Sequence, residues 1–390
     1  MSISLKKINI KNFKAWENTG DINFADITML YWTNSAWKSS IIQFLLLLKQ
    51  TIESSDNQRV LLSSHNWIID LWTITDFFTQ HDLSRKITFD LWWDSNTFQS
   101  TIKTRKIWNE KFWELVVESL KYSFSNWIKT VSLTENEDWS YKLDSQKFDL
   151  KRKQWRAWPL PKPLKFYKFP QETFEYYQNA WDIFGASFEL EKLFQKIIYI
   201  WPIRHFPKRI YEWSWEKPSN VWIDGGDVVN VMLSAENEWI SLRMWKWKKA
   251  KKFMFYIAEW LRKLWLVEDF RINKISEDSK VYKLEVQITK KSSWVDIADV
   301  WFGVSQILPI LVQSFYAERG SIIILEQPEI HLHPRVQSIL ADVFIEASKD
   351  RGIQFIIESH SEHLLRRMQL RIAEEKINFN FIKTYFCKSV

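Results

Sequence analysis

The last hundred residues alternate short apolar runs with amphipathic helix patterns, and few folds accept that alternation. Ser321–Leu325 is a run long enough for one buried strand. Pro334 then opens a helix, because proline fits the first helical turn. Its apolar residues Val336, Ile339, Leu340, Val343, Phe344 and Ala347 follow helical spacing. Gly352 ends that pattern, Ile353–Ile357 gives a second buried strand, and Ser361 begins another helix. Strand, helix, strand, helix predicts an α/β layer with a parallel sheet.

The opening of the chain carries the same signal in weaker form. Ser2–Ile10, Asp21–Phe24 and Ile27–Tyr31 read as strands, the last apolar enough to be buried. A helix follows over Ser39–Ile52, with Ile41, Ile42, Leu45, Leu46 and Leu48 on its inner side. The middle mixes strand-like stretches, a proline-rich joint at Trp158–Pro163, and helical stretches near 181–198 and 238–265. Three segments follow: 1–95, 96–295 and 296–390. The expected architecture is α/β: a central, mostly parallel sheet flanked by helices, N-terminal antiparallel strands, and a mixed α+β middle insertion. No heptad pattern is sustained, so no long coiled coil is expected.

Glycine is depleted where such a fold needs it. Of 390 residues, 7 are glycine and 25 tryptophan. Glycine ordinarily supplies about 7% of a chain. The two types together make an ordinary glycine count plus a few tryptophans. Many tryptophans stand in turn-like contexts, as in Asn66-Trp67, Trp37-Lys38 and Trp201-Pro202. Indoles in polar turns expose apolar surface and bury none. The pattern points to a UGA codon that encodes glycine but is read as tryptophan. Trp213 and Trp260 are expected to be genuine.

Read with that exchange, Trp32-Thr33-Asn34-Ser35-Ala36-Trp37-Lys38-Ser39-Ser40 becomes GxxxxGK[ST] between a strand and a helix, the context of a phosphate-binding P-loop. Backbone amides at the helix start would cradle phosphate. Lys38 would reach the β- and γ-phosphates, and Ser39 would place its hydroxyl on Mg²⁺. As printed, the indole at 37 would crowd that seat, and ATP would bind poorly. Ile322–Leu325 leads into Glu326-Gln327-Pro328-Glu329, an apolar strand delivering a carboxylate to the sheet edge. Glu326 is the expected Mg²⁺ partner. His331 and His333 lie two apart beside Pro334 and are expected to shape a loop. His360 follows the next strand and suits γ-phosphate sensing, or is incidental to a helix cap. In Asp299–Gln306, Ser305 stands at a helix start that would hold an anion, or is part of an ordinary cap.

These segments, in this order, resemble ABC-type ATPase heads, a class of P-loop NTPase. IKNFKAW, YWTNSAWKSSIIQFLLLLKQT, WPIRHFPKRIYEW, DVWFGVSQILPILVQ, IIILEQPEIHLHPRVQ and IIESHSEHLLRR are similar to bacterial AAA-family ATPases related to the overcoming-lysogenization-defect nucleases and RecF-type repair proteins. The resemblance implies two heads sandwiching two ATP molecules, with Mg²⁺. Trp32 through Ser40 would hold one nucleotide, while Ser305 would touch the nucleotide of the other subunit. Gln80 is a candidate for sensing Mg²⁺ and the attacking water. Such heads usually carry a general-base glutamate directly after the strand-end acid, where this chain has Gln327. A neutral amide cannot take the water's proton, so Glu329 or His360 would substitute, or hydrolysis is slow.

The resemblance also implies control of DNA processing, in repair or phage defence, with DNA and a separate nuclease or effector as candidate partners. The alternative is an ATP-binding regulatory module with little or no hydrolysis. A net charge of +7 permits contact with nucleic acid, or reflects a lysine-rich solvated surface. No apolar run approaches the roughly 20 residues that cross a bilayer, and the N-terminus lacks a signal-peptide pattern. Cys387 is the only cysteine, so no internal disulfide forms, and a cytoplasmic location is expected. The sequence offers no hook cysteines and no room after Phe381–Phe386 for a C-terminal nuclease domain; its abrupt end leaves open a missing C-terminal segment.

Overall fold

The computed structural model describes all residues except 1–2, 33–39, 58, 66–67, 72, 108–111, 125–128, 154, 156–158, 244–248, 277–278, 301 and 388–390. The chain divides into two compact units. One comprises chiefly residues 3–24 and 34–197, the other 25–33 and 198–390.

The first unit is built on an eight-stranded antiparallel sheet. Leu5–Phe13 lies beside Ile87–Trp93, and Asn96–Ile107, Phe112–Phe124, Lys129–Glu135 and Tyr141–Gln146 follow in sequence order. Sequential hairpins need no crossover, which is why the sheet order repeats the chain order. Ile87–Trp93 buries alternate residues, the period expected of a strand with one packed face. Against it lies the helix Ser40–Glu53, nearly all of whose residues are buried. Phe44 meets Phe13 and Phe89 edge-on, each with ring centroids 4.9 Å apart. Aromatic pairs in that arrangement add to simple area burial.

The second unit contains a five-stranded sheet that includes the three buried strands the sequence predicts. Its order is Ile197–Ile200, Ile322–Glu326, Gln354–Ser359, Ile27–Trp32, Ile382–Cys387. The last four run parallel to one another. Ile323, Leu325, Phe355 and Ile357 pack into one core with Leu340, Val343 and Phe344 from the helix Pro334–Arg351. That helix carries its own punctuation. His333 caps the start, Pro334 occupies the first turn, and Gly352 ends it in the left-handed region at φ 66°. A four-stranded antiparallel sheet of Tyr211–Glu212, Val281–Gln287, Asp269–Lys274 and Trp294–Asp296 completes the unit.

The helical stretch expected near 238–265 is two helices, Val228–Asn237 and Phe253–Lys263, separated by the short pair Ser241–Leu242 and Lys251–Lys252. Residues 238–252 contain six lysines and arginines and no apolar stripe, so the helical period stops there. Gly225 illustrates a backbone that admits no side chain. Its φ is 76°, and a Cβ would stand 2.6 Å from Pro309 Cγ.

Among the described residues, five tryptophans occupy the same left-handed region: Trp139, Trp215, Trp222, Trp239 and Trp265. A bulky residue there is an outlier. All five are exposed, whereas Trp93, Trp213 and Trp260 are buried.

Candidate active site

The parallel register decides what the second unit can do. Glu326 pairs with Glu358, which in turn pairs with Leu30. In-register residues on adjacent strands share a face, so the two glutamates stand abreast at the carboxyl ends of their strands. Ile27–Trp32 ends at the same edge, two strands from Glu326, so the ends of the two strands are about 10 Å apart. Ligands of open α/β sheets collect at that edge. Thr33, Asn34, Ser35, Ala36, Trp37, Lys38 and Ser39 lie outside the described residues, as does the Trp32 side chain. Ser40 is buried at the start of its helix.

Tyr199, on the neighbouring strand, donates its hydroxyl to Glu326 Oε1 at 2.9 Å. Burial raises the Glu326 carboxyl above its ordinary value, and the Tyr199 hydrogen bond only partly offsets this. Burial, followed by the charge of Glu326, raises the Tyr199 phenol as well, so it stays a donor. A buried carboxylate with a hydroxyl beside it is suited to a divalent cation, which would favour its charged form. Mg²⁺ at Glu326 would supply charge neutralisation for phosphate oxygens.

Beyond the strand end the chain turns sharply. Gln327 has φ 45° and His331 φ 62°, both in the left-handed region. Such backbone costs on the order of 1–3 kcal/mol and persists where neighbours hold it. Here the Gln327 amide is fixed to the Glu358 carbonyl at 2.8 Å. The turn brings Glu329 to the end of the next strand, where its Oε1 accepts the His360 amide at 2.5 Å. Glu329 and His360, separated in sequence by 31 residues, are therefore brought together. His333 Nδ1 accepts the Arg335 amide at 3.3 Å, the role of a helix cap. Ser361 caps the following helix through the Leu364 amide, and its hydroxyl reaches Gln337.

Ser305 lies in the first turn of the helix Phe302–Tyr316 and is buried. Its neighbour Gln306 reaches the main chain of Arg204. Gln80 belongs to the first unit, where its backbone sits at φ 60° and its side chain accepts from Arg85 at 3.2 Å. Tyr199, Arg204 and Glu358 escaped the sequence reading. Tyr199 and Glu358 sit inside apolar strand runs, where a single polar residue carries no periodic signal. Arg204 lies in the segment WPIRHFPKRIYEW, whose basic residues look alike until their burial is known.

Residues 232–365 match the AAA ATPase domain family. A stretch of 148 residues, 38% of the chain, is 27% identical to ABC transporter I family member 17 of Arabidopsis thaliana, of which it covers 54%. The chain thus spans about half the length of that curated relative. Among solved structures, it is similar to an SMC head bound to the C-terminal winged-helix domain of ScpA. That likeness has 14% identity and a TM-score of 0.42, covering 93% of this chain and 91% of the other. The SMC head domain from Thermotoga maritima gives 11% identity, TM-score 0.36 and the same coverages. A Pyrococcus furiosus Smc head with an extended coiled coil gives 10% and 0.39 over 94% and 92%. No helix among the described residues is long and apolar enough to cross a membrane. Residues 232–365 thus resemble an AAA ATPase domain, and they include the two parallel strands that carry Glu326 and Glu358.

Proposed function

We propose that this protein is an ABC-type ATPase that binds Mg²⁺-ATP, dimerises on it and hydrolyses it between two heads. The observation that carries the reading is the sheet edge: Ile322–Glu326 and Ile27–Trp32 run parallel and end at one edge, two strands apart. Lys38, Ser39 and the loop from Trp32 to Ser40 would hold the phosphates, with Glu326, Ser39 and Gln80 around Mg²⁺. Gln327 cannot act as base, so Glu329, already joined to His360, takes that role. Segments 1–95 and 296–390 would supply the head and 96–295 the insertion. The relation to the overcoming-lysogenization-defect and RecF-type proteins, a cytoplasmic location, and work on DNA with a separate nuclease or effector belong to the same proposal. So does glycine at positions 32 and 37, supported by the five exposed tryptophans in left-handed backbone.

Ser305 tests the composite site. In this reading it faces the partner's γ-phosphate, not its own. Ser305→Arg should leave ATP binding by the monomer nearly intact, yet abolish ATP-driven dimerisation and hydrolysis. Mixed with Lys38→Ala protein, it forms dimers in which one site carries both defects and the other neither. Each variant should be inactive alone and regain part of the activity on mixing. Ser305→Arg that hydrolyses ATP like its parent contradicts the cross-subunit role. The second reading, an ATP-holding module with little turnover, is favoured by Gln327. ATP-driven dimers without hydrolysis, in the presence or absence of DNA, would select it.

A further inference from the structure

Gln337 stands in the first turn of the helix Pro334–Arg351, and its side-chain amide is hydrogen-bonded at both ends. Nε2 donates to the Leu332 carbonyl at 2.9 Å and to the Glu329 carbonyl at 3.5 Å. Oε1 accepts the Ser361 hydroxyl at 2.6 Å. The network fixes which way the amide points: turned over, its oxygen would face two carbonyl oxygens. The Ser361 hydroxyl is used twice, since it also accepts the Leu364 amide at 3.1 Å.

One side chain thus bridges two stretches that meet at the sheet edge. The first is the turn after Glu326, left-handed at Gln327 and His331. The second is the loop 359–361, which carries His360. Glu329 crosses the same gap beside it, its Oε1 accepting the His360 amide at 2.5 Å. The loop has a third tie, because Tyr31 on the strand Ile27–Trp32 donates to the Ser361 carbonyl at 3.3 Å. Glu329, Ser359 and Ser361 are all buried. Hydrogen bonds among buried groups are costly to leave unmade, and within a network the loss of one weakens the rest.

We infer that Gln337 is a positioning residue: it clamps the turn bearing Glu329 to the loop bearing His360, and so holds the Glu329 carboxylate on the His360 amide. The inference rests on the ATPase reading above and deepens it. Oε1 is engaged by that amide, whereas Oε2 is buried with no hydrogen-bond partner among the described residues. Oε2 is therefore the oxygen left to take the proton of the attacking water. The clamp sets which carboxylate oxygen serves as the base, and it joins Glu329 and His360 into one body.

Two measurements on the full chain test this. The first is hydrogen–deuterium exchange without nucleotide, read by mass spectrometry in peptides that contain the His360 amide. Gln337→Met keeps the length of the side chain and removes its hydrogen bonds. Gln337→Glu keeps the shape and sets a carboxylate against the two carbonyls. Both should speed exchange at His360 on the order of tenfold, while the interior of the strand Gln354–Ser359 keeps the parent's rate. Unchanged exchange at His360 in either variant would overturn the clamp. So would equal acceleration throughout that strand, which is what a general loss of stability gives. The second measurement uses the chain with glycine at 32 and 37. Both variants should lower kcat on the order of tenfold while KM for ATP stays within about twofold. A raised KM with kcat unchanged would overturn the positioning role. If the parent neither binds nor hydrolyses ATP, the ATPase reading fails and the role in hydrolysis falls with it. Faster exchange at His360 would then place the failure in that reading and not in the clamp.

Discussion

At the scale of single residues, backbone angle is the sharpest witness to what the chain was built to carry. Trp239 has φ 54° just past the helix Val228–Asn237, and Trp265 has φ 60° just past Phe253–Lys263. In both places the next amide reaches back five residues, Ile240 to Ala235 and Leu266 to Leu261, closing the helix as glycine usually does. Gly352 takes the same left-handed backbone directly after Pro334–Arg351. A left-handed non-glycine residue costs about 1–2 kcal/mol. Lys252 over Trp239 and Arg335 over Trp265 return about 0.5–1 kcal/mol each as exposed cation–π contacts. Strain wins, so Trp239→Gly and Trp265→Gly should each stabilise by about 0.5–1 kcal/mol in urea unfolding. A loss of stability in both would contradict the account of these turns. Composition suggested this exchange in the sequence, and motif spacing suggested it at 32 and 37. Buried tryptophans could not be told from turn tryptophans by composition alone; Trp213 and Trp260 are both buried.

At the scale of elements, legibility followed burial on two faces. Ile322–Glu326 and Gln354–Ser359 are buried almost throughout, and unbroken apolar runs marked them within a residue or two. The half-buried strands of the antiparallel sheet share their alternation with loops and short helices, so the middle of the chain was harder to read. Contacts between elements were not legible at all. Tyr256 on Phe253–Lys263 donates to Glu346 on Pro334–Arg351. Burial raises the Glu346 carboxyl to about 7, against smaller opposing effects of Tyr256 and Lys263. A carboxyl raised in the folded state favours folding while protonated. Its contribution is complete below the ordinary value of 4.5 and is lost as pH climbs to about 7. Glu346→Gln keeps the neutral form at every pH. It should melt close to the parent at pH 4.5 and be more stable at pH 8 by about 2 kcal/mol, allowing for partial solvent access. An equal difference at both pH values would remove Glu346 as the cause.

At the scale of the molecule, the two compact units interleave in sequence. The chain leaves the second unit after residue 33 and returns to it at 198. The sequence pattern instead suggested segments 1–95, 96–295 and 296–390, because strand and helix signals are sharp at both ends and blurred between them. Which strands pair is set by contacts distant in sequence, and Ile27–Trp32 beside Gln354–Ser359 is the plainest case. That pairing ends the strand Ile27–Trp32, which precedes the proposed P-loop in sequence, at the edge where Glu326 ends its strand, and the functional account depends on it. The direct test is an Mg²⁺-ATP titration of three full chains: the printed sequence, the chain with Trp32→Gly and Trp37→Gly, and that chain with Lys38→Ala added. The account predicts weak binding by the first and at least tenfold tighter binding by the second. The third should lose that gain, because the lysine proposed to meet the phosphates is gone. Equal affinity in all three would contradict both the P-loop and the glycine assignment.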